Sequence, residues 1–536
     1  MNKHTFKFNN QNKFTESQLK TLAAFEDFPY VEKNEEYDFN KNTPYSCINL
    51  HQMHFENGTV RITQPGIYNL KENIVFEPNA NNDFMPTYDQ VKSNQYPIGL
   101  NGAYHLGFFA AITIECEDVI LNLNKYTIKQ SKLHYLQQRF YANIELASSP
   151  FIPKQGPGGF STRNTYKAAS NVLIKNGTLG LSSHHGIHGN TMKGIILQDL
   201  IFEDFEIAGI ALNGAMDSFL HNITLKNTHL NVPVSSKYSQ ARFARQFLKN
   251  VPKNIMFNEK TGNDIMLELN KQLKETEKQF MNGKAPNTFF KHPNYGQGAD
   301  GNVYGLVLNI NGVAINDFIL SRPMNAIGNK NIYLENIYIE NITSHPEEII
   351  AISSSNEMEG AYGGKRQVGS AGDVLDVNAI TNDEGLYNGN ILSDVQLIIG
   401  KAKNDNNKLS LGTVNIEKEV IAWAEQKKEN LNEMMKKNNY YFVKGGDSMG
   451  HVMKGSLGLF ISCGENIEIK GLHVYCLKNK ATKIGLDDKN TPNSAKGGNA
   501  RGVCITGSEK IYLHSPAFYN IKTDNKISNS INLEVL

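Results

Sequence analysis

A run of histidines is the densest group of side chains in the chain that could do chemistry. Residues 183–190 read SHHGIHGN and contain His184, His185 and His188. An imidazole titrates near neutral pH, so a histidine at the surface could act as a general acid or base. On a strand, His184 and His188 would share one face and His185 would take the other. Histidines four residues apart share a metal ion only on a helix, which the two glycines disfavour, so we predict no metal site.

Three carboxylates, Asp204, Glu206 and Asp217, follow this run. Carbohydrate-cleaving β-helices use paired carboxylates on the outer face of adjacent coils, where a long polymer can lie across them. Asp204 and Glu206 have the same parity, so a short strand would point them the same way. One interpretation is therefore a catalytic group of His184, His188, Asp204, Glu206 and Asp217. The other is structural, a polar bend with one satisfied histidine beside a solvated acidic face.

A second candidate site lies in the glycine-rich run AYGGKRQVGSAGD, at residues 361–373. Its Lys365 and Arg366 could bind an anionic sugar or a phosphate group of a substrate. Solvated charge on a loop explains the same residues. Nothing in this run or elsewhere in the sequence implies a cofactor.

Three segments at intervals of 23 residues show which elements must position these groups. Residues 171–179 (NVLIKNGTL), 194–202 (GIILQDLIF) and 217–225 (DSFLHNITL) align without gaps. Their side chains recur in columns: Leu173, Ile196 and Phe219; Thr178, Ile201 and Thr224; Leu179, Phe202 and Leu225. Between the two short strands of each copy stands Asn176, Asp199 or Asn222. These residue types tolerate the left-handed backbone of a bend, and their side chains can hydrogen-bond from one coil to the next.

This repeat predicts the fold. Strand follows strand with tight bends and no intervening helix, so each coil lays its strands in parallel above those of the previous coil. We predict an all-β solenoid, a right-handed parallel β-helix with helical and loop insertions. The predicted organisation is an N-terminal arm or cap at 1–60, the β-helix at 61–513 with insertions near 131–169, 235–298, 348–440 and 478–501, and a C-terminal tail or cap at 514–536.

Composition excludes several classes of protein. The 536 residues carry 54 basic and 53 acidic side chains, a net charge of +1, so no overall field would attract nucleic acid. The opening MNKHTFKFNNQNKF has no apolar run that could serve as a signal peptide, and no stretch is apolar enough to span a membrane. The five cysteines form no CxxC pair, which favours reduced thiols over a disulfide framework or a zinc site.

Several charge-poor, glycine-spaced segments carry a family resemblance. They are residues 64–76 (QPGIYNLKENIVF), 184–214 (HHGIHGNTMKGIILQDLIFEDFEIAGIALNG), 445–462 (GGDSMGHVMKGSLGLFIS) and 497–511 (GGNARGVCITGSEKI). These segments resemble the right-handed β-helix proteins encoded by giant, nucleocytoplasmic large DNA viruses. The resemblance implies a viral protein carried in or on the particle, and it brings no active site with it.

Two functions follow as expectations. The first is a viral structural or surface protein that uses a rigid solenoid and its inserted loops. It would use them for assembly, with other virion proteins or as a homo-oligomer, or for binding a polysaccharide or glycan on a host surface. Such a protein would reside in the virion or the host cytoplasm. The alternative is a polysaccharide hydrolase or lyase acting in an outer-face groove. Motifs of pectin-cleaving β-helix enzymes occur here only as fragments, such as His188-Gly189.

Overall fold

A computed structural model describes the coil and the segments that pack on it. The described residues are 6, 8, 13–26, 46–97, 103–138, 141–150, 166–228, 303–309, 328–344, 455–479, 499–524 and 530–535, with single residues between 256 and 278. Lys365 and Arg366 lie outside them, as do most of the insertions predicted near 235–298, 348–440 and 478–501. No helix within the described ranges is long and apolar enough to cross a membrane.

Parallel strands from successive coils form sheet 1. Its strands pair in the order β1 Ser46–Leu50, β3 Gly66–Leu70, β6 Glu117–Asn122, β9 Ser170–Leu179, β11 Lys193–Glu203, β13 Met216–Lys226, β17 Lys330–Glu340, β20 Glu465–Tyr475 and β23 Glu509–His514. Three shorter strands extend the same sheet: β4 Ile74–Phe76, β7 Thr127–Gln130 and β24 Ala517–Tyr519.

Sheets 2 and 3 take the remaining parallel strands. Sheet 2 runs in the order β2 Val60–Ile62, β5 Ala110–Ile114, β8 Ala142–Glu145, β10 His185–Asn190, β12 Ala208–Asn213, β16 Val303–Asn309, β19 Gly455–Ser462, β22 Asn499–Thr506 and β26 Ser530–Val535. Sheet 3 contains β18 Thr343–Ser344, β21 Lys478–Asn479 and β25 Lys522–Thr523, and an antiparallel pair joins β14 Met256–Phe257 to β15 Lys260–Thr261. The described helices are α1 Glu16–Glu26, α2 Tyr88–Lys92 and α3 Lys132–Gln137, with 3₁₀ turns at Gln52–Phe55, Ala80–Asn82 and Ala103–Leu106.

The register between coils follows the spacing of 23 residues. Ile196 of β11 lies opposite Leu173 of β9 on one side and Phe219 of β13 on the other. Parallel pairing then resumes between β12 and β16, after the long interruption that separates them in sequence. The chain is a parallel β-helix, as the repeat predicts. Its strand pairing extends beyond residues 61 and 513, since β1 pairs with β3 and β26 pairs with β22.

One column of inner side chains shows how the coil builds its core. The following residues lie in register along sheet 2, each fully buried: Ile112, Ile144, Ile187, Ile210, Leu306, Leu459 and Val503. Each coil therefore adds one more apolar side chain to the stack, and burial of such a side chain contributes about 1.5–3 kcal/mol. Strand β8 supplies Ile144, so the coil passes through the region near 131–169 that the sequence predicts to be an insertion.

Each long strand of sheet 1 bends near its start and again near its middle. Asparagine or aspartate stands at this second bend in β9, β11, β13 and β17. Asn176, Asp199 and Asn222 have left-handed φ angles of 57°, 53° and 53°. Asn222 Nδ2 donates a hydrogen bond of 2.9 Å to Asp199 Oδ1, and Asn336 of the next coil donates one of 3.0 Å to Asn222 Oδ1. The coil-to-coil role predicted for these side chains is confirmed.

The column of Leu173, Ile196 and Phe219 faces outward from sheet 1, and the N-terminal part of the chain buries it. We call residues 6, 8 and 13–26 the arm. Phe8 stacks on Phe219 with ring centroids 5.2 Å apart, and α1 turns its buried side chains toward the same column. An outer face that would otherwise be an apolar patch thus becomes a second core.

Candidate functional site

The histidine cluster lies on sheet 2, where β8, β10 and β12 are neighbours. Their register places Glu145, His188 and Ala211 in one column. His188 Nδ1 lies 2.7 Å from Glu145 Oε2, and His188 Nε2 lies 3.2 Å from Asn213 Nδ2. Because the amide nitrogen of Asn213 donates, Nε2 accepts and Nδ1 donates its proton to Glu145. The carboxylate therefore sets both the orientation and the tautomer of the imidazole.

Burial has the largest effect on the pKa of Glu145. Glu145 is 1% exposed and His188 is 7% exposed. Burial raises the pKa of Glu145, and the nearby imidazole of His188 opposes that rise. Glu145 Oε1 has no hydrogen-bond partner among the described residues. An oriented carboxylate–imidazole pair is the arrangement that general-base catalysis uses, but Asn213 here occupies the nitrogen that would accept a substrate proton.

The other two histidines extend the cluster along the strand. His185 stacks on His188, with ring centroids 5.0 Å apart and an interplanar angle of 8°, and His184 Nδ1 lies 2.9 Å from His185 Nδ1. Burial, followed by the two neighbouring imidazoles, holds the pKa of His185 well below its usual value. The predicted opposition of His185 and His188 is wrong. Strict alternation fails between them, because a Cβ on Gly186 would meet the core side chain of Phe202 at 2.5 Å although the next residue, Ile187, also lies in the core.

Two of the predicted catalytic carboxylates stand at bends of the coil. Asp204 has a φ angle of 56° and accepts hydrogen bonds from the backbone nitrogen and Oγ1 of Thr228, at 2.7 and 2.8 Å. Asp217 has a φ angle of 49° and accepts from Asn331 Nδ2 at 2.8 Å and from Ser17 Oγ at 2.5 Å. These bonds join neighbouring coils and fasten the arm, so both carboxylates contribute to the frame of the solenoid.

Glu206 is only 8% exposed and binds helix α3, because the Tyr135 hydroxyl donates to Glu206 Oε2 at 2.5 Å. The acid that the structure brings to His188 is Glu145 instead. Sequence reasoning missed it because the segment near 131–169 was predicted to be an insertion. The available signal was the alternation of Ile144 and Leu146 around it, too short to stand out. Within the described ranges no group of three or more His, Cys, Asp or Glu side chains is placed to hold a metal ion.

A second feature, which the sequence did not single out, is a group of rings on sheet 1 beyond its second bend. We call Tyr338, His473, Tyr475 and Tyr519 the aromatic face. The register aligns Tyr338 with His473 in one column and Tyr475 with Tyr519 in the next. Tyr338 and His473 stack with ring centroids 4.7 Å apart and an interplanar angle of 5°. His473 Nδ1 lies 2.8 Å from the hydroxyl of Tyr475.

The aromatic face is open to solvent and has charged neighbours. Tyr338 is 41% exposed and Tyr519 is 69% exposed. Glu340 lies in register between Lys226 and Tyr475, and Lys226 pairs with Glu203 at 3.2 Å. Exposed rings beside acidic and basic groups suit a ligand that is itself apolar on one side and polar at its rim.

Comparison with known proteins adds little to this geometry. No protein-family model matches the chain, and no curated protein matches it significantly. Among solved structures, the Streptococcus pneumoniae surface protein and adhesin PfbA is similar over 81% of this chain and 93% of that chain, at 8% sequence identity and a TM-score of 0.14. The assignment as a parallel β-helix therefore rests on the strand pairing of this chain itself.

Proposed function

We propose that this protein is a non-catalytic β-helix that binds a glycan on the outside of its coil, as a viral structural or surface protein. The observation that carries the proposal is the exposed aromatic face. A pyranose ring turns its C–H bonds toward the electron-rich face of an aromatic ring, and its hydroxyl groups bond to neighbouring polar side chains such as Glu340. The face spans successive coils, so it suits an extended glycan better than a single sugar.

The fate of the predicted catalytic residues supports binding over cleavage. Asp204 and Asp217 bond to backbone and side chains of the coil and the arm, and Glu206 bonds to α3. Glycoside cleavage needs a pair of carboxyl groups flanking the bond that breaks. Residues held by the frame in this way are poorly placed to supply such a pair.

A binding screen tests the proposal. Purified protein would be applied to an array of neutral and acidic glycans, and titration calorimetry would measure affinity for the class retained. We expect Tyr338→Ser and Tyr519→Ser each to weaken binding by about tenfold or more, because exposed rings at a binding surface act as anchors. Tyr512→Ser is the matched control, since Tyr512 is 49% exposed but lies in β23, before the bend at Ser515.

Two results would contradict the proposal. If the protein retains no glycan, the proposal is wrong. Equal affinity in wild type, Tyr338→Ser and Tyr519→Ser would show that the aromatic face is not the binding site. The viral placement needs its own measurement. We expect mass spectrometry of purified particles to detect the protein, and its absence from the particle would exclude a virion role.

A second candidate function, polysaccharide cleavage, is favoured by one observation, the oriented pair of Glu145 and His188. Incubation with the bound glycan and assay of new reducing ends or unsaturated products would test it. Release that is lost in both Glu145→Gln and His188→Ala, while glycan binding persists, would replace the non-catalytic proposal. The control is Asp204→Asn. This substitution should leave any such activity intact, because Asp204 bonds to Thr228 at a bend.

A further inference from the structure

A tight turn at Asn57-Gly58 leads from the 3₁₀ turn Gln52–Phe55 into β2. Gly58 has a φ angle of 139°, a backbone conformation that residues with a side chain rarely adopt. A Cβ added there would lie 2.5 Å from a ring carbon of Phe108 and 2.6 Å from the hydroxyl oxygen of Tyr96. The turn therefore requires glycine directly after Asn57.

This requirement makes the side-chain amide of Asn57 chemically reactive. Because glycine has no side chain, its backbone nitrogen can approach the Cγ atom of the preceding asparagine without steric hindrance. Attack forms a bond from that nitrogen to Cγ, and the side-chain nitrogen leaves as ammonia together with the proton of the backbone N–H. The product is a cyclic succinimide. Water then opens the ring at either carbonyl and yields aspartate or isoaspartate.

The reacting groups at Asn57 make few competing contacts. The residue is exposed, and its side-chain amide forms no hydrogen bond with the described part of the chain. The nitrogen of Gly58 donates to the oxygen of Phe55 at 3.4 Å, which is a long hydrogen bond. A rotation of the Asn57 side chain can therefore bring Cγ to the nitrogen without breaking a strong hydrogen bond.

Asn213-Gly214 carries the same dipeptide at the end of β12, but both reacting groups are engaged there. Asn213 is half-buried, and its Nδ2 donates to Asn190 Oδ1 at 3.0 Å. The nitrogen of Gly214 donates to the oxygen of Asn309 at 2.9 Å. Formation of a succinimide would have to break both of these bonds between coils.

Asn176-Gly177, at the second bend of β9, is restrained by packing as well as by hydrogen bonds. Asn176 Nδ2 donates to Asn122 Oδ1 at 3.3 Å, and the Asn176 oxygen accepts from the Lys125 nitrogen at 2.6 Å. Gly177 is packed so closely that an added Cβ would lie 2.3 Å from Leu123 Cβ. The backbone movement that cyclisation requires is blocked at this pair.

We infer that Asn57 is a site of spontaneous deamidation in the folded protein, and that its conversion to isoaspartate loosens the loop at 79–96. The oxygen of Asn57 accepts a hydrogen bond of 2.6 Å from Gln90 Nε2. Gln90 Oε1 in turn accepts from the nitrogen of Thr87 at 2.8 Å and from Asn79 Nδ2 at 2.9 Å. In isoaspartate the main chain runs through Cγ, so the carbonyl that binds Gln90 becomes a displaced free carboxylate. This site is separate from the aromatic face and does not depend on glycan binding.

Incubation of the folded chain in mildly alkaline buffer tests the site. Digestion and peptide mass spectrometry would follow the mass increase at each Asn-Gly pair. We expect Asn57 to react about tenfold faster or more than Asn176 and Asn213, because native structure protects only the latter two. In guanidinium chloride the three should react at similar rates. Asn57→Gln is the matched variant, since a glutamine amide cyclises much more slowly, and it should remain unmodified at residue 57.

Amide hydrogen exchange tests the consequence. We expect exchange in α2 to accelerate as isoaspartate accumulates in the wild type and to stay constant in Asn57→Gln, while β11 keeps its protection in both. Reaction at Asn176 or Asn213 as fast as at Asn57 would overturn the inferred site. So would an Asn57 that stays intact in the folded protein while the unfolded chain reacts. Unchanged exchange in α2 of the isoaspartate form would overturn the loosening of the loop.

Discussion

Asn331 Nδ2 donates a hydrogen bond of 2.8 Å to Asp217 Oδ1 across 114 positions of sequence. The two residues occupy the same bend on neighbouring coils, with φ angles of 54° and 49°. Asn466, on the coil after that, donates in turn to Asn331 Oδ1 at 2.8 Å. The bend is therefore rebuilt with the same chemistry after each long interruption, which explains how insertions are accommodated without loss of register.

Replacing Asn331 should separate the two contributions of this bend residue. Asn331→Gly keeps the left-handed backbone and loses both side-chain hydrogen bonds, so we expect a loss of about 1–2 kcal/mol in unfolding free energy. Asn331→Ala adds the strain of a left-handed alanine, about 1 kcal/mol more. Urea unfolding followed by circular dichroism measures both. Equal stability of the two variants would mean that backbone strain contributes nothing at this bend.

The period of the coil and its bend residues could be predicted because they are local properties. Asn176, Asp199 and Asn222 recur at a fixed interval, and a left-handed bend restricts which residue types can stand there. Where the interval is broken the prediction weakens. Glu145 lies on a strand of only four residues that follows a helix, so neither its place in sheet 2 nor its pairing with His188 could be anticipated.

Which apolar column faces the core could not be predicted either. Along β9, β11 and β13, both faces are apolar, and alternation alone then cannot tell the inside from the outside. The column that contains Phe219 is outer, and only the packing of the distant arm explains its burial. The aromatic face is a similar case, since Tyr338 meets His473 only after β17 pairs with β20.

One substitution should weaken the packing of the arm on the coil without unfolding the coil. Phe8 is 8% exposed and stacks on Phe219, so Phe8→Ala should weaken docking of the arm by about 3 kcal/mol. We expect amide hydrogen exchange in α1 to accelerate strongly while β13 keeps its protection, because the coil has its own core. Phe8→Leu, which retains most of the volume, should change exchange much less. Equal loss of protection in α1 and β13 would mean that arm and coil unfold together.

His134 should make the protein sensitive to acid. It lies on α3 with its ring centroid 5.0 Å from that of Phe76 and 5.4 Å from that of Tyr141, and burial lowers its pKa to about 3. Gln130 Nε2 donates to Nδ1 at 3.0 Å, which leaves the neutral ring protonated on Nε2. The unfolded chain binds a proton below about pH 6.5 and the folded chain does not, so stability falls as pH falls through this window. His185, whose pKa is also lowered, acts in the same direction.

The contribution of His134 can be isolated from the slope of unfolding free energy against pH. At pH 5 this one residue lowers the unfolding free energy by about 2 kcal/mol relative to neutral pH. We expect His134→Phe to reduce the pH dependence of unfolding free energy by about one proton between pH 6 and pH 4. Urea titrations at several pH values measure it. A variant that is shifted by the same amount at every pH, with an unchanged slope, would show that His134 titrates normally in the folded protein.

Close contact between coils in sheet 2 depends on one glycine in each of five successive strands, namely Gly186, Gly209, Gly305, Gly458 and Gly502. Gly458 faces the next coil so closely that an added Cβ would lie 2.4 Å from the carbonyl oxygen of Gly502, and a backbone atom cannot rotate away. We expect Gly458→Ala to cost about 1–3 kcal/mol or to push the last coils apart. Gly180→Ala is the control, because its Cβ would come no closer than 3.1 Å, to a lysine side chain. Thermal unfolding of the two variants compares them, and equal melting temperatures would show that the coils have room to separate.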